Sequence, residues 1–209
     1  MRFEIRLYIE GGGDHHRTRR PFVTGFHTFF KELRDMAAAR GGMVTVTMCG
    51  GRTQTCDDYK IATQTHPESL NFLLVDAEGP VQGSSPWEHL RTELGKKLFE
   101  SAKLVDKHCH LMVEAMEAWL VADRETLKEY YGQGFSENAL PRHNNVEKIA
   151  KDALASGLEN ATRLTRKGRY HKTHHGPQIL ERIRPSVVRK KAPGCDRLFT
   201  TLETEINNA

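Results

Sequence analysis

The sequence predicts an α/β protein: a parallel sheet flanked by helices, followed by a helical, basic C-terminal part. Three observations carry this. Short apolar runs alternate with stretches of helical periodicity through the first half of the chain. The run Asn71-Phe72-Leu73-Leu74-Val75 is apolar at every position but the first, as a strand buried on both faces should be. Two of the runs end in carboxylates followed by glycine: Glu10 before Gly11-Gly12-Gly13, and Asp76 and Glu78 before Gly79-Pro80. Open α/β folds place their ligands at the carboxyl ends of strands.

The elements follow in order. Phe3 to Ile9 forms the first strand. A helix is expected from near Pro21, whose fixed φ suits a first turn, with Phe22, Phe26, Phe29, Phe30 and Leu33 on one face and Gly41-Gly42 as its stop. Met43 to Met48 is the second strand, and Thr53 to Thr65 the next helix, stopped by Pro67. Asn71 to Val75 is the third strand. A loop from Gly79 to Pro86 leads to a helix over Trp87 to Leu98, and Cys109 to Val113 is the fourth strand. Glu114 to Asp123 and Arg124 to Tyr131 read as helices, ended by Gly132. The character then changes, with helices expected over Asn145–Leu158, Pro177–Ile183 and Cys195–Ile206. The predicted division is an α/β core over 1–135 and a helical, basic region over 136–209 that packs on it.

The chain has 209 residues, 38% hydrophobic and 28% charged, ordinary for a globular protein. No apolar run approaches the roughly 20 residues that span a bilayer, and the start runs into a strand with no signal-peptide pattern. Four scattered cysteines without a CxxC pair fit a reducing, cytoplasmic setting. The net charge of +4 is unevenly spread: residues 163–191 hold ten Lys/Arg against Glu181 alone, +9, which leaves −5 for the remainder. An acidic site beside a basic flank suits a phosphate-backbone substrate, cations on the phosphates and carboxylates on a metal.

Glu10, Asp76 and Glu78 are the candidate metal ligands and catalytic acids. Acids gathered at one sheet edge repel unless a hard cation shares them, and Mg²⁺, or Mn²⁺ in its place, is the expected cofactor. Period-two geometry turns Asp76 and Glu78 to the same side. Glu114 and Glu117, one turn apart at the start of a helix, are further acids near that edge, with Asp123 beyond them; Glu117 is the one expected to join the site. Strand-terminal acids also cap turns, and acids in a first helical turn are favoured by the helix dipole. Gly11-Gly12-Gly13 lacks both GxGxxG and the Walker lysine. Asp14, His15, His16, Arg17, Arg19 and Arg20 follow it as substrate contacts or a solvated loop. His108-Cys109-His110 has no second ligand pair at finger spacing, which disfavours zinc. Lys167-Gly168-Arg169-Tyr170-His171-Lys172 is dense in phosphate-binding groups around an aromatic, suited to gripping a backbone and stacking a base.

A glutamate and glycine after the first strand with Asp-x-Glu after the third is similar to the Toprim signature of topoisomerases, primases and old-type nucleases, with glutamate where the second aspartate usually stands. A finer resemblance is to the domain-of-unknown-function family 4276, on the strings Ile9-Glu10-Gly11-Gly12, Cys49-Gly50-Gly51-Arg52, Leu74-Val75-Asp76-Ala77-Glu78, Met116-Glu117-Ala118-Trp119, Leu140-Pro141 and Lys167-Gly168-Arg169-Tyr170-His171-Lys172. The resemblance implies a Toprim-like (Rossmannoid) core and a Mg²⁺-dependent nuclease, acting as effector of a prokaryotic anti-phage system with an ATPase partner. In that reading Glu10 is general base or acid and metal ligand, Asp76 and Glu78 are metal ligands, and Glu117 is a fourth acid. Arg52, Lys167, Tyr170, His171 and Lys172 would face the substrate phosphates of DNA or RNA. Two other readings compete: an inert subunit that docks on nucleic acid or an ATPase, and a metal-dependent phosphohydrolase or phosphotransferase acting on small nucleotides.

Overall fold

Four parallel strands order the molecule, a computed structural model that describes residues 3–13, 16–95 and 104–209. They are β1 (Glu4–Glu10), β2 (Met43–Gly50), β3 (Leu70–Asp76) and β4 (Cys109–Met112), in the order β2-β1-β3-β4. The chain leaves β1 outward to β2, then crosses back to add β3 and β4 on the other side. The topological switch point, where a crevice opens at the strands' carboxyl ends, therefore lies between β1 and β3. Side chains alternate: Ile5, Leu7, Ile9, Phe72 and Leu74 face one apolar layer, and Tyr8, Leu73 and Val75 the other. This is an α/β, Rossmann-like sheet with helices on both faces.

The smaller layer holds α3 (Arg52–Thr65) and α4 (Pro86–Leu94), with Cys56, Tyr59, Trp87 and Leu90 packed on β3 and β4. The larger holds α1 (His16–Phe29), α2 (Lys31–Ala39), α5 (Glu117–Ala122), α6 (Arg124–Tyr131), α7 (Lys151–Thr162), α8 (Lys172–Leu180), α9 (Pro185–Lys191) and α10 (Pro193–Asn208). Phe29 stacks on Trp119 at 5.4 Å between ring centroids and meets Phe199 edge-on at 5.5 Å. Leu154, Leu158, Ile179, Leu198 and Leu202 join the same apolar cluster, so residues before and after 136 share one core.

Several boundaries differ from expectation for visible reasons. The first helix starts at His16, not near Pro21, because Thr18 Oγ1 and Arg19 Nε donate back to the carbonyls of Gly12 and Gly13 and anchor an earlier turn. It breaks at Phe30, whose backbone leaves helical values as the aromatic cluster forms. Glu114 begins no helix: α5 starts at Glu117. Helix α8 starts five residues before Pro177, and α9 appears where none was expected. The end of the helix expected to reach Leu98 lies outside the described residues, as do Asp14 and His15.

Much of the basic C-terminal charge is used internally. Arg184 forks onto Asp123, with Nη2 to Oδ1 at 2.7 Å and Nε to Oδ2 at 2.9 Å, and Arg189 pairs with Asp196 and Glu203. Lys191 donates to the Ala122 carbonyl at 2.7 Å. Arg163, Arg166, Lys167 and Arg169 remain exposed in the turn between α7 and α8.

Candidate metal centre

Pairing across β1 and β3 brings the strand-end acids together. Ile9 lies opposite Leu74, so Glu10 and Asp76 emerge side by side at the switch point. On its other edge β1 meets a bulge: Ile9 faces Met48 but Glu10 faces Gly50, leaving Cys49 as an extra residue. Bulges re-aim neighbouring side chains. Gly12, at φ +79°, holds a conformation that favours glycine, and a Cβ there would come within 2.9 Å of the Arg19 backbone.

Glu10, Asp76 and Glu78 each offer a carboxylate oxygen within 4.8 Å of the others'. The Asp76 backbone N–H donates to Glu10 Oε2 at 3.0 Å. Burial, then the neighbouring Asp76 charge, push the Glu10 carboxyl up to about 8. Burial likewise raises Asp76, against the pull of Lys172.

The Asp76-Ala77-Glu78 turn is held from several sides. Glu78 takes a left-handed φ of +66°, uncommon for a residue with a side chain, and its N–H donates to the Glu114 carbonyl at 2.8 Å. Arg52 Nη1 reaches the carbonyls of Asp76 (3.5 Å) and Ala77 (3.4 Å). The buried His89 accepts from Gln82 N–H at Nδ1 (3.1 Å), which leaves Nε2 as the protonated nitrogen donating to Ala77 O at 2.9 Å.

A second tier completes the floor. Met116 N–H donates to Asp76 Oδ1 at 2.8 Å. Lys172 Nζ lies 3.0 Å from Asp76 Oδ2 and 3.3 Å from Glu117 Oε2, and Tyr170 donates its hydroxyl to Glu117 Oε1 at 3.1 Å. Lys151 Nζ pairs with Glu78, and its backbone N–H donates to Glu114 Oε2 at 2.7 Å.

The structure thus gathers Glu10, Asp76, Glu78, Glu117, Arg52, Tyr170 and Lys172, and adds Glu114 in a bracing role. Tyr170 is buried with its hydroxyl on Glu117, so its ring is not open to a base. Lys167 lies outside the cluster, 4.9 Å over the Tyr130 ring. His171 is exposed at the cap of α8, its Nδ1 3.1 Å from Thr173 Oγ1. Arg17 and Arg20 are exposed on α1, and Asp123 is bound to Arg184 away from the acids. His110 is buried against Arg197, not presented to a metal. Sequence reasoning missed Lys151 and His89: a lysine at a helix start and a histidine on a short helix carry no local signal of a role.

Three hard carboxylates suit a hard divalent cation. An octahedral Mg²⁺ with bonds of 2.0–2.1 Å spans about 4.2 Å between opposite ligands, so small side-chain rotations would close the group on one ion. Fold and site together define a Rossmann-like α/β protein with an acidic, lysine-flanked centre at its switch point. The chain belongs to the family described as Domain of unknown function (DUF4276), whose model matches residues 21–203, including Asp76, Glu78, Glu117 and Lys172 but starting after Glu10. No curated protein and no solved structure matches the chain.

Proposed function

We propose that this protein is a divalent-cation-dependent nuclease of Toprim type, using Mg²⁺ or Mn²⁺ to cleave phosphodiesters. The observation that carries the reading is the convergence of Glu10, Asp76 and Glu78 within 4.8 Å at the switch point, ringed by Lys151, Lys172 and Arg52. Glu10, Asp76 and Glu78 would hold the ion, which supplies Lewis-acid stabilisation of the charge that builds on a phosphate during displacement. By the Toprim resemblance Glu10 would also serve as general base or acid; its carboxyl sits high without a cation, and a bound ion would draw it down. His89 and Arg52 keep the Asp76-Ala77-Glu78 turn in position. The exposed Arg163, Arg166, Lys167 and Arg169 form a flank that attracts a polyanion, DNA or RNA. By the Toprim resemblance, the chain acts in the cytoplasm as effector of an anti-phage system with an ATPase partner; its four buried, free cysteines suit a reducing compartment.

A second reading draws on the same ion pairs: with Lys172 and Lys151 seated on the acids, the cluster is an inert brace in a docking subunit. One experiment separates them. Purified protein with Mg²⁺ or Mn²⁺ is incubated with supercoiled DNA, linear DNA and bulk tRNA, beside Glu10→Gln and Asp76→Asn. Cleavage that disappears in both variants supports the nuclease. Cleavage that survives in both sinks the proposed site, and no cleavage by the wild type with either metal favours the docking subunit. Hydrolysis of mononucleotides but of no polymer favours a small-substrate phosphohydrolase.

A further inference from the structure

Asp76 uses its two oxygens on two different partners. Oδ1 accepts from a backbone amide, while Oδ2 faces the Lys172 ammonium, which at the same time contacts Glu117. A carboxylate shared between two cationic centres is the arrangement of two-metal phosphoryl-transfer sites, whose ions lie about 3.5–4 Å apart. Here the chain itself supplies one cation at that carboxylate.

We propose that Lys172 takes the place of a second metal ion, so that the centre formed by Glu10, Asp76 and Glu78 works with a single divalent cation. The proposal rests on the metal-dependent reading above and specifies its stoichiometry.

Two observations support it. Lys172 is built into its place: His171 caps α8 in an extended conformation, Lys172 is the first helical residue, and α8 packs against α1, α5 and α6. Glu117 is fixed to receive it: the buried Tyr170 hydroxyl holds Oε1, and among the described residues Oε2 has no hydrogen-bond partner and faces the ammonium as an ion pair at 3.3 Å.

Charge agrees. Ionised, as ligands of a cation would be, Glu10, Asp76, Glu78, Glu114 and Glu117 face Lys151, Lys172 and Arg52, which leaves two negative charges, the complement of one divalent ion. An ammonium has three donors, and two point at Asp76 and Glu117. The third is available to a phosphate oxygen, where it would stabilise charge as a second ion does.

Mn²⁺ bound to the full chain, counted from the electron paramagnetic resonance of the free ion, tests this without reference to activity. The wild type is expected to bind one Mn²⁺ per chain, and Lys172→Arg, which keeps the charge, also one. Lys172→Met, which keeps most of the stem and removes the charge, is expected to bind two, the second at Asp76 and Glu117. Two ions in the wild type, or a folded Lys172→Met that still binds one, would overturn the proposal while leaving the nuclease reading intact. No ion in the wild type would overturn both. Should Lys172→Met fail to fold, the wild-type count still decides.

Discussion

The Asp76 backbone amide donates to the Glu10 carboxylate at 3.0 Å across the seam between β1 and β3, so each acid of the pair helps position the other. The contact exists because the chain reverses its direction of sheet growth between these two strands. It also places a partly buried glutamate beside a buried aspartate, an arrangement that costs stability and that a bound cation would relieve.

Glu10→Gln removes the ionisable group whose raised pKa costs folding stability at neutral pH, and it keeps a carbonyl oxygen for the Asp76 amide. In chelator the variant is expected to melt about 2–4 °C above the wild type, the shift that about 1 kcal/mol produces in a chain of this size. Adding Mg²⁺ should raise the wild-type melting temperature and leave the variant unmoved. Thermal melts with and without Mg²⁺ check both; a variant less stable than the wild type in chelator would contradict the electrostatic account.

His89 supports the Asp76-Ala77-Glu78 turn without touching the acids' oxygens. His89→Ala removes the donor to Ala77 O and the acceptor for Gln82 N–H. Outer supports of metal ligands typically matter by about 10–100-fold in affinity, and a loss of that order is expected here. Mn²⁺ titration of the folded variant measures it, and an unchanged affinity would show that Arg52 and the Glu114 carbonyl hold the turn by themselves.

His110 contributes to the acid limb of stability. Its Nδ1 faces Arg197 Nη1 at 3.2 Å and its Nε2 meets the Lys107 carbonyl at 3.0 Å. Guanidinium only donates, so Nδ1 must accept and the ring is neutral. Burial, then the Arg197 charge, bring its pKa down to about 3. The unfolded chain protonates this ring near 6.5 and the folded one does not, so between those values the unfolded state binds the extra proton. Stability contributed by the neutral ring is complete above about 6.5 and declines as pH falls towards 3, by at most about 1.4 kcal/mol per unit. Denaturant melts from pH 7 to pH 4 should show a flatter decline for His110→Asn; parallel profiles would count against this role.

Much of the site was legible in the sequence because its signals are local. Asp76 and Glu78 end an apolar run, Glu10 ends another, and strand periodicity alone puts such residues at a sheet edge. The basic string 167–172 was legible as a charge pattern, though its residues serve different ends: Lys172 enters the cluster, Tyr170 lies beneath it and Lys167 sits on Tyr130. The helix expected at Glu114 was misplaced because the segment before Glu117 answers to distant partners, Glu78 N–H and Lys151 N–H, which no local propensity records.

Period-two and helical alternation, with glycine and proline as stops, were enough to establish the α/β class, the four strands and the acids at their ends, because those patterns depend on which residues can be buried a few positions apart. Strand order, the bulge beside Glu10, and the convergence of Lys151, Tyr170 and Lys172 on Asp76, Glu78 and Glu117 depend on contacts between residues as many as 96 positions apart. Such contacts form only when the whole core closes, and they turn a row of strand-end acids into a centre with a geometry and a charge.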